Sequence, residues 1–235
     1  MTHDQHVMLS VADGTSMQAF TSIPEGKGPF PALILIQEAF GVNPHIRHVA
    51  NRLAAEGFIA IAPEIFHRTA SVGAEFPYSD FSAVMPHYQA VTNEGVAADL
   101  EACYEWLQSH ASVVKERIGS IGFCLGGKVA FIANAVLPLS AAVSYYGGQL
   151  DKVADMAKDL HGPHLFIWGG LDTHLTADVR QTVINAVEAA GKPYINTLIS
   201  YAQHAFNCDD RPAYNADASK EAWAMSMAFL KNKLG

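Results

Sequence analysis

Along this chain the spacing of hydrophobic positions switches repeatedly between two periods, and the switching predicts the architecture. Residues 31–37 (PALILIQ) and 58–62 are short runs almost free of polar side chains, as expected of strands covered on both faces. Residues 7–13 and 17–23 predict two strands around Asp13-Gly14-Thr15, an Asp-Gly hairpin signal. Residues 44–56 place Ile46, Val49, Ala50, Leu53 and Ala54 at helical spacing, and Gly57 ends that helix. Residues 64–92, with Pro77 and Pro86, read as an irregular excursion or lid with a little helix; residues 94–110 read as a strong amphipathic helix. Strands are then predicted at 118–123, 141–146, 164–168 and 194–200, with helices at 128–136 and 176–190. A less regular stretch between Tyr146 and His164 predicts a short helix, and a last helix spans about 216–231, tied in by Trp223, Met227 and Leu230. Repeated β-then-α order predicts an α/β fold: a mostly parallel central sheet with helices on both faces. Neither a linker nor an internal repeat interrupts it, so residues 1–235 are expected to form one domain.

Composition narrows the partners. Half of the 235 residues are hydrophobic, enough for a substantial core. The net charge of −8, with no block of lysines or arginines, makes nucleic acid and anionic membrane surfaces poor partners. No apolar run approaches the roughly 18 residues of a membrane span, and residues 1–5 lack the basic and apolar segments of a secretory signal. Cys103, Cys124 and Cys208 are odd in number and far apart, which argues against a disulfide framework. A cytoplasmic protein, monomeric or a small homo-oligomer, is expected.

The most informative string is Gly122-Phe123-Cys124-Leu125-Gly126-Gly127, which joins a predicted strand to a predicted helix. Strand, sharp glycine-flanked turn and helix are the setting of a nucleophile elbow, where G-x-S-x-G lifts a reactive side chain above an α/β sheet. Here the nucleophile position holds cysteine. A helix N-terminus favours its thiolate. The competing reading is a buried structural cysteine beside a glycine-rich packing turn.

In such a sheet, working residues come from loops at the carboxyl ends of strands. The loop after 164–168 holds Asp172, and the loop after 194–200 holds His204. Nucleophile, acid and histidine then follow the chain order of α/β hydrolases. A thiol needs a base to become a strong nucleophile, and imidazole needs a carboxylate to fix its tautomer. Asp151 and Asp178 compete with Asp172 but fall in or beside helices. A fourth loop, Glu38-Ala39-Phe40-Gly41-Val42-Asn43, follows PALILIQ directly. A carboxylate there is costly to bury unpaired. In α/β hydrolases this segment supplies an oxyanion-hole amide, so Glu38 is expected to reach Cys124. A surface carboxylate capping the next turn is the alternative.

These segments together resemble the dienelactone hydrolase (carboxymethylenebutenolidase) family. The resemblance rests on Gln37 to Asn43, the Cys124 elbow, Gly170-Leu171-Asp172, His204-Ala205-Phe206, Asn43-Pro44-His45-Ile46-Arg47 and the run Tyr214 to Trp223. It implies an α/β-hydrolase fold and hydrolysis of a small ester or lactone without metal or organic cofactor. It further implies Cys124 as nucleophile, His204 as base, Asp172 as its orienter, and Glu38 as the group that holds the resting thiol and helps form the thiolate. The backbone amides of Leu125 and Ala39 would form the oxyanion hole. The chain departs from the family at the arginines that hold a substrate carboxylate. Cys208 stands four residues after His204, and residues 64–92 contain Arg68 alone. Arg211, Tyr88, Tyr145 and Tyr146 are the substrate-binding candidates that remain, the tyrosines with core packing as their alternative.

Three rivals stay in view. A metal site would have to use pairs such as His45 with His48 or His161 with His164, which lack a third ligand at motif spacing. Thioester hydrolysis or acyl transfer would use the same acyl-enzyme with another acyl donor or acceptor. A non-catalytic binding or redox-sensing protein would keep the scaffold alone.

Overall fold

The structure is a computed structural model that describes residues 2–235 and divides into two units, one ending at Ile118 and one beginning at Gly119. In the first, β1 (Thr2–Ser10) and β2 (Ser16–Pro24) form an antiparallel hairpin in which Ser10 faces Ser16. β2 pairs antiparallel with β4 (Ile59–Pro63), and β4 pairs parallel with β3 (Phe30–Ile36). The parallel pair is linked by α1 (Pro44–Ala55). Asn43 caps α1 by accepting from the Ile46 N–H at 3.1 Å, and Pro44 occupies its first turn. α1 buries the predicted Ile46, Val49, Ala50, Leu53 and Ala54, together with His45. The excursion contains α2 (Phe81–Gln89), and α3 (Asn93–Ser109) follows, capped by Thr92.

The hairpin lies nearer the N-terminus than expected. β1 covers residues 2–10, not 7–13, because Val11 to Thr15 close the turn instead. Val11 N–H donates to Thr15 O at 2.9 Å, and the Asp13 carboxylate accepts from the Thr15 N–H at 3.0 Å. Residues 2–6 are polar and mostly exposed, so only their pairing with β2 makes them a strand.

In the second unit the end of β5 (Val113–Phe123) from Gly119 on, β6 (Ala141–Tyr145), β7 (His164–Gly169) and β8 (Tyr194–Ile199) are parallel neighbours in that order. α4 (Leu125–Val136) follows β5, α5 (Ala177–Ala189) precedes β8, and α6 (Ala216–Leu234) closes the chain. Every residue of β6 and β7 is buried, which explains why Ser144 and His164 are the exceptions in largely apolar strands. Successive β6 side chains point to opposite faces. The Ser144 hydroxyl donates to Gly127 O in α4, whereas the Tyr145 hydroxyl meets Ser226 in α6 at 2.7 Å. Helices therefore cover both faces of this sheet. β5 starts earlier than predicted because its first half carries the exposed residues Lys115, Glu116 and Arg117. The stretch predicted to hold a short helix is a kinked 3-10 helix, Leu150–Asp159.

Candidate active site

The end of β5 is where the backbone becomes strained. Cys124 has φ 54° and ψ −114° at the N-cap of α4, a conformation that a side chain with a Cβ seldom adopts. Close backbone approaches hold it there. A Cβ on Gly122 would stand 1.9 Å from Gly126 O, and one on Gly127 would stand 2.6 Å from Gly147 Cα. The turn is tied to β6 through Cys124 N–H to Tyr145 O at 3.1 Å and Gly148 N–H to Cys124 O at 3.0 Å. Leu125 is the first residue of α4, so its N–H lies in the turn that has no intrahelical acceptor. The half-buried sulfur thus sits beside a helix N-terminus, and glycine at 148 leaves space next to it.

β7 and β8 end in register, Gly169 facing Ile199. Their following loops pack backbone to backbone, with a Cβ on Gly169 placed 2.6 Å from Ala202 O and one on Gly170 placed 2.5 Å from Ser200 Cα. Leu171 N–H donates to Ala202 O at 2.9 Å. This contact delivers Asp172 to His204. Asp172 Oδ2 lies 2.7 Å from His204 Nδ1, and His204 Nε2 lies 3.1 Å from Cys124 Sγ. The three residues that the sequence places on separate loops therefore meet in one hydrogen-bonded line. Asp172 Oδ1 also accepts from the His174 and Leu175 N–H groups at 2.8 and 3.2 Å. The Tyr146 ring packs 5.1 Å from His204 by ring centroids, and His174 meets it edge-on at 5.3 Å.

The electrostatics favour an ion pair. Burial opposes charge on His204, but its hydrogen bonds to Asp172 and Cys124 and their negative charges outweigh that, and its pKa is pushed up to about 10. Burial likewise opposes charge on Asp172. The bonds from His204 and from the His174 and Leu175 amides prevail and hold its carboxyl below the usual range.

A model of the dienelactone hydrolase family matches residues 17–234. The chain belongs to the dienelactone hydrolase family. Its relatives include a protein of Escherichia coli O157:H7, provisionally named carboxymethylenebutenolidase, 33% identical over 94% of this chain and 84% of that one. The carboxymethylenebutenolidase of Pseudomonas putida is 30% identical over 95% of this chain and 94% of that one. Among solved structures, a provisionally named dienelactone hydrolase of Klebsiella pneumoniae superposes with a TM-score of 0.86 at 32% identity, covering 97% of this chain and 99% of that one. The fold is thus the α/β-hydrolase fold of this family, and membership makes the chain a hydrolase of the ester and lactone class.

For a dienelactone hydrolase family member, the remaining sequence-derived residues are placed as follows. Glu38 and Ala39 follow β3 with Gln37 between, and both are buried. Tyr88 is a half-buried residue of α2 with its ring against Phe81. Arg211 lies in the turn after the histidine loop, with its N–H donating to Cys208 O at 3.1 Å. Tyr145 is fully buried, its hydroxyl meeting Ser226 at 2.7 Å and its ring packing on Phe123 at 4.6 Å. Cys103 is fully buried in α3, where burial and then the Asp99 charge push its thiol well up. Sequence reasoning missed the His174 contact with His204; the only signal was its position two residues after Asp172. Among the described residues, no three His, Cys, Asp or Glu side chains cluster as metal ligands, and no helix is long and apolar enough to cross a membrane.

Proposed function

We propose that this chain, as one domain over residues 1–235, hydrolyses a small carboxylic ester or lactone through a cysteine nucleophile and a thioester intermediate. The observation that carries the reading is the line Asp172–His204–Cys124, with contacts of 2.7 and 3.1 Å. The His204 ring, pushed towards its charged form, stands at hydrogen-bond distance from the sulfur as the base for its proton.

The reaction then has two balanced halves. The Cys124 thiolate bonds to the carbonyl carbon, and the carbonyl electron pair moves onto oxygen, to which the Leu125 and Ala39 N–H groups donate. Such donors contribute about 3–4 kcal/mol to the transition state. Collapse breaks the C–O bond, and His204 gives its Nε2 proton to the departing alkoxide, which in a lactone remains attached as the opened ring. Water then attacks the thioester, His204 takes its proton, and the thiolate leaves to release the acid. Glu38 keeps the role that the family resemblance assigns it, holding the resting thiol and promoting thiolate formation as substrate enters.

The test is a panel of aryl esters, thioesters and lactones with and without a carboxylate, run on the wild type, Cys124→Ala, His204→Ala and Cys103→Ser. Turnover is expected in the wild type and Cys103→Ser and absent in the other two, with an acyl adduct on Cys124 seen by mass spectrometry after rapid quench. Undiminished turnover by Cys124→Ala would defeat the reading. Added alcohol or amine captured in the product, in place of acid, would redirect it to acyl transfer.

A further inference from the structure

The loop carrying Glu38 and Ala39 is gripped by the segment that follows β4. Gly41 has φ +87° and lies so close to Ala74 that a Cβ would stand 2.3 Å from the Ala74 carbonyl oxygen. Phe76 N–H also donates to Phe40 O at 3.1 Å. Between loop and segment is a crevice of about 10 Å³ whose polar lining includes Gln37, Glu64 and His67. Two atoms of these residues, Gln37 Oε1 and His67 Nδ1, are buried and have no hydrogen-bond partner among the described residues.

Both side chains are otherwise held, which fixes which atom of each is left without a partner. Gln37 Nε2 donates to Glu38 O at 3.1 Å, so the amide oxygen points the other way. His67 Nε2 lies 3.0 Å from Asp99 Oδ1, a pure acceptor, so Nε2 carries the proton and Nδ1 is left over. Asp99 is held in turn by two bonds from Arg68 at 2.8 and 3.0 Å, and Arg68 reaches Asp13 at 2.7 Å. The Glu64 carboxylate accepts from Gln18 at 2.7 Å and from the Gly73 N–H at 2.9 Å.

We infer that the crevice binds one ordered water joining His67 Nδ1 to Gln37 Oε1, and that Gln37 and His67 are thereby positioning residues for Glu38 and Ala39. The second half of this statement rests on the role proposed above for those two residues. Space of this size suits a single water. Leaving a buried polar atom unmade costs more than ordering a water beside it. Water also fits either state of the ring. It donates to Nδ1 of neutral imidazole and accepts from imidazolium, and in both cases it keeps a hydrogen for Gln37 Oε1. A monovalent cation would satisfy acceptors alone. The result is an unbroken polar line from the Asp13–Arg68 ion pair through Asp99, His67, water and Gln37 to the Glu38 carbonyl, which belongs to the same peptide unit as the Ala39 N–H.

A crystal structure of the full chain, at a resolution that shows ordered solvent, tests the water directly. A density peak within hydrogen-bond distance of both atoms is expected; no peak, or a direct bond between the two side chains, overturns the site whatever the chemistry of Cys124. Kinetics test the positioning. His67→Phe fills the crevice and is expected to lower kcat about tenfold at unchanged KM, while His67→Gln, which keeps a polar group towards both Asp99 and the water, recovers most of it. Iodoacetamide should still label Cys124 to completion in wild type and both variants, only more slowly in His67→Phe, which separates a misplaced loop from a lost nucleophile. A His67→Phe kcat within twofold of wild type would overturn the positioning role. If His67→Phe does not fold, Gln37→Met, which keeps length and removes the amide, replaces it with the same expected loss.

Discussion

Replacing Asp172 by asparagine keeps the shape of the side chain and removes its charge, and the local geometry dictates the consequence. The His174 and Leu175 amides point at Oδ1 from 2.8 and 3.2 Å, and only an oxygen can accept from them. The new NH2 group is therefore turned onto His204 Nδ1, where the carboxylate oxygen stood at 2.7 Å. His204 must then show Nδ1 a lone pair and carry its proton on Nε2, facing Cys124 Sγ. Such a ring neither takes the thiol proton nor holds as an imidazolium. Opposite unit charges about 4 Å apart at an effective dielectric of about 20 interact by about 4 kcal/mol, and a hydrogen bond to a charged group contributes about 1.5–3 kcal/mol. These overlap, so the loss is about 3–4 kcal/mol, which is about 10²–10³ in rate. The locked tautomer carries it towards about 10⁴. The assay is kcat with an aryl acetate at saturation, alongside NMR titration of the His204 ring, whose pKa should drop well below its native value of about 10. KM should change little. A variant whose kcat stays within about threefold of wild type, with the ring still titrating high, would refute the reasoning.

The raised His204 pKa carries its own sign. A folded value of about 10 against 6.5 for the free side chain means the charged ring stabilises the fold below about pH 6.5, and this contribution fades as pH rises through about 10. In Cys124→Ala the sulfur's hydrogen bond and charge are gone, so the ring should titrate lower than in wild type; an unmoved titration would show the two groups uncoupled. Gly122→Ala forces a Cβ to within 1.9 Å of a backbone oxygen. Overpacking of this kind costs about 1–3 kcal/mol, so Tm should fall by roughly 5 °C, and an unchanged melt would mean the elbow relaxes freely. Glu38→Gln should slow both turnover and iodoacetamide labelling of Cys124, and unchanged values of both would remove Glu38 from the mechanism.

The sequence by itself determined the succession of elements, because burial writes itself into spacing. Ala32 to Ile36, covered by neighbours, have nowhere to place a polar side chain, and α1 shows its buried face at helical intervals. The family was legible for a related reason: the elbow, the acid, the histidine and the Glu38 loop each occupy the carboxyl end of a strand. Spacing was silent where a strand is exposed, so β1 and the first half of β5 were displaced or shortened in the reading. Tertiary structure alone decided which groups touch. That Asp172 serves His204, while Asp151 and Asp178 do not, follows from the close approach of the β7 and β8 loops through Gly169 and Gly170. The same holds for Tyr145, which turns to Ser226, and for His174, which leans on His204. Secondary structure repeats at short range and leaves its period in the chain. A contact between loops many residues apart has no period, and it exists only once the sheet has set the strand ends side by side.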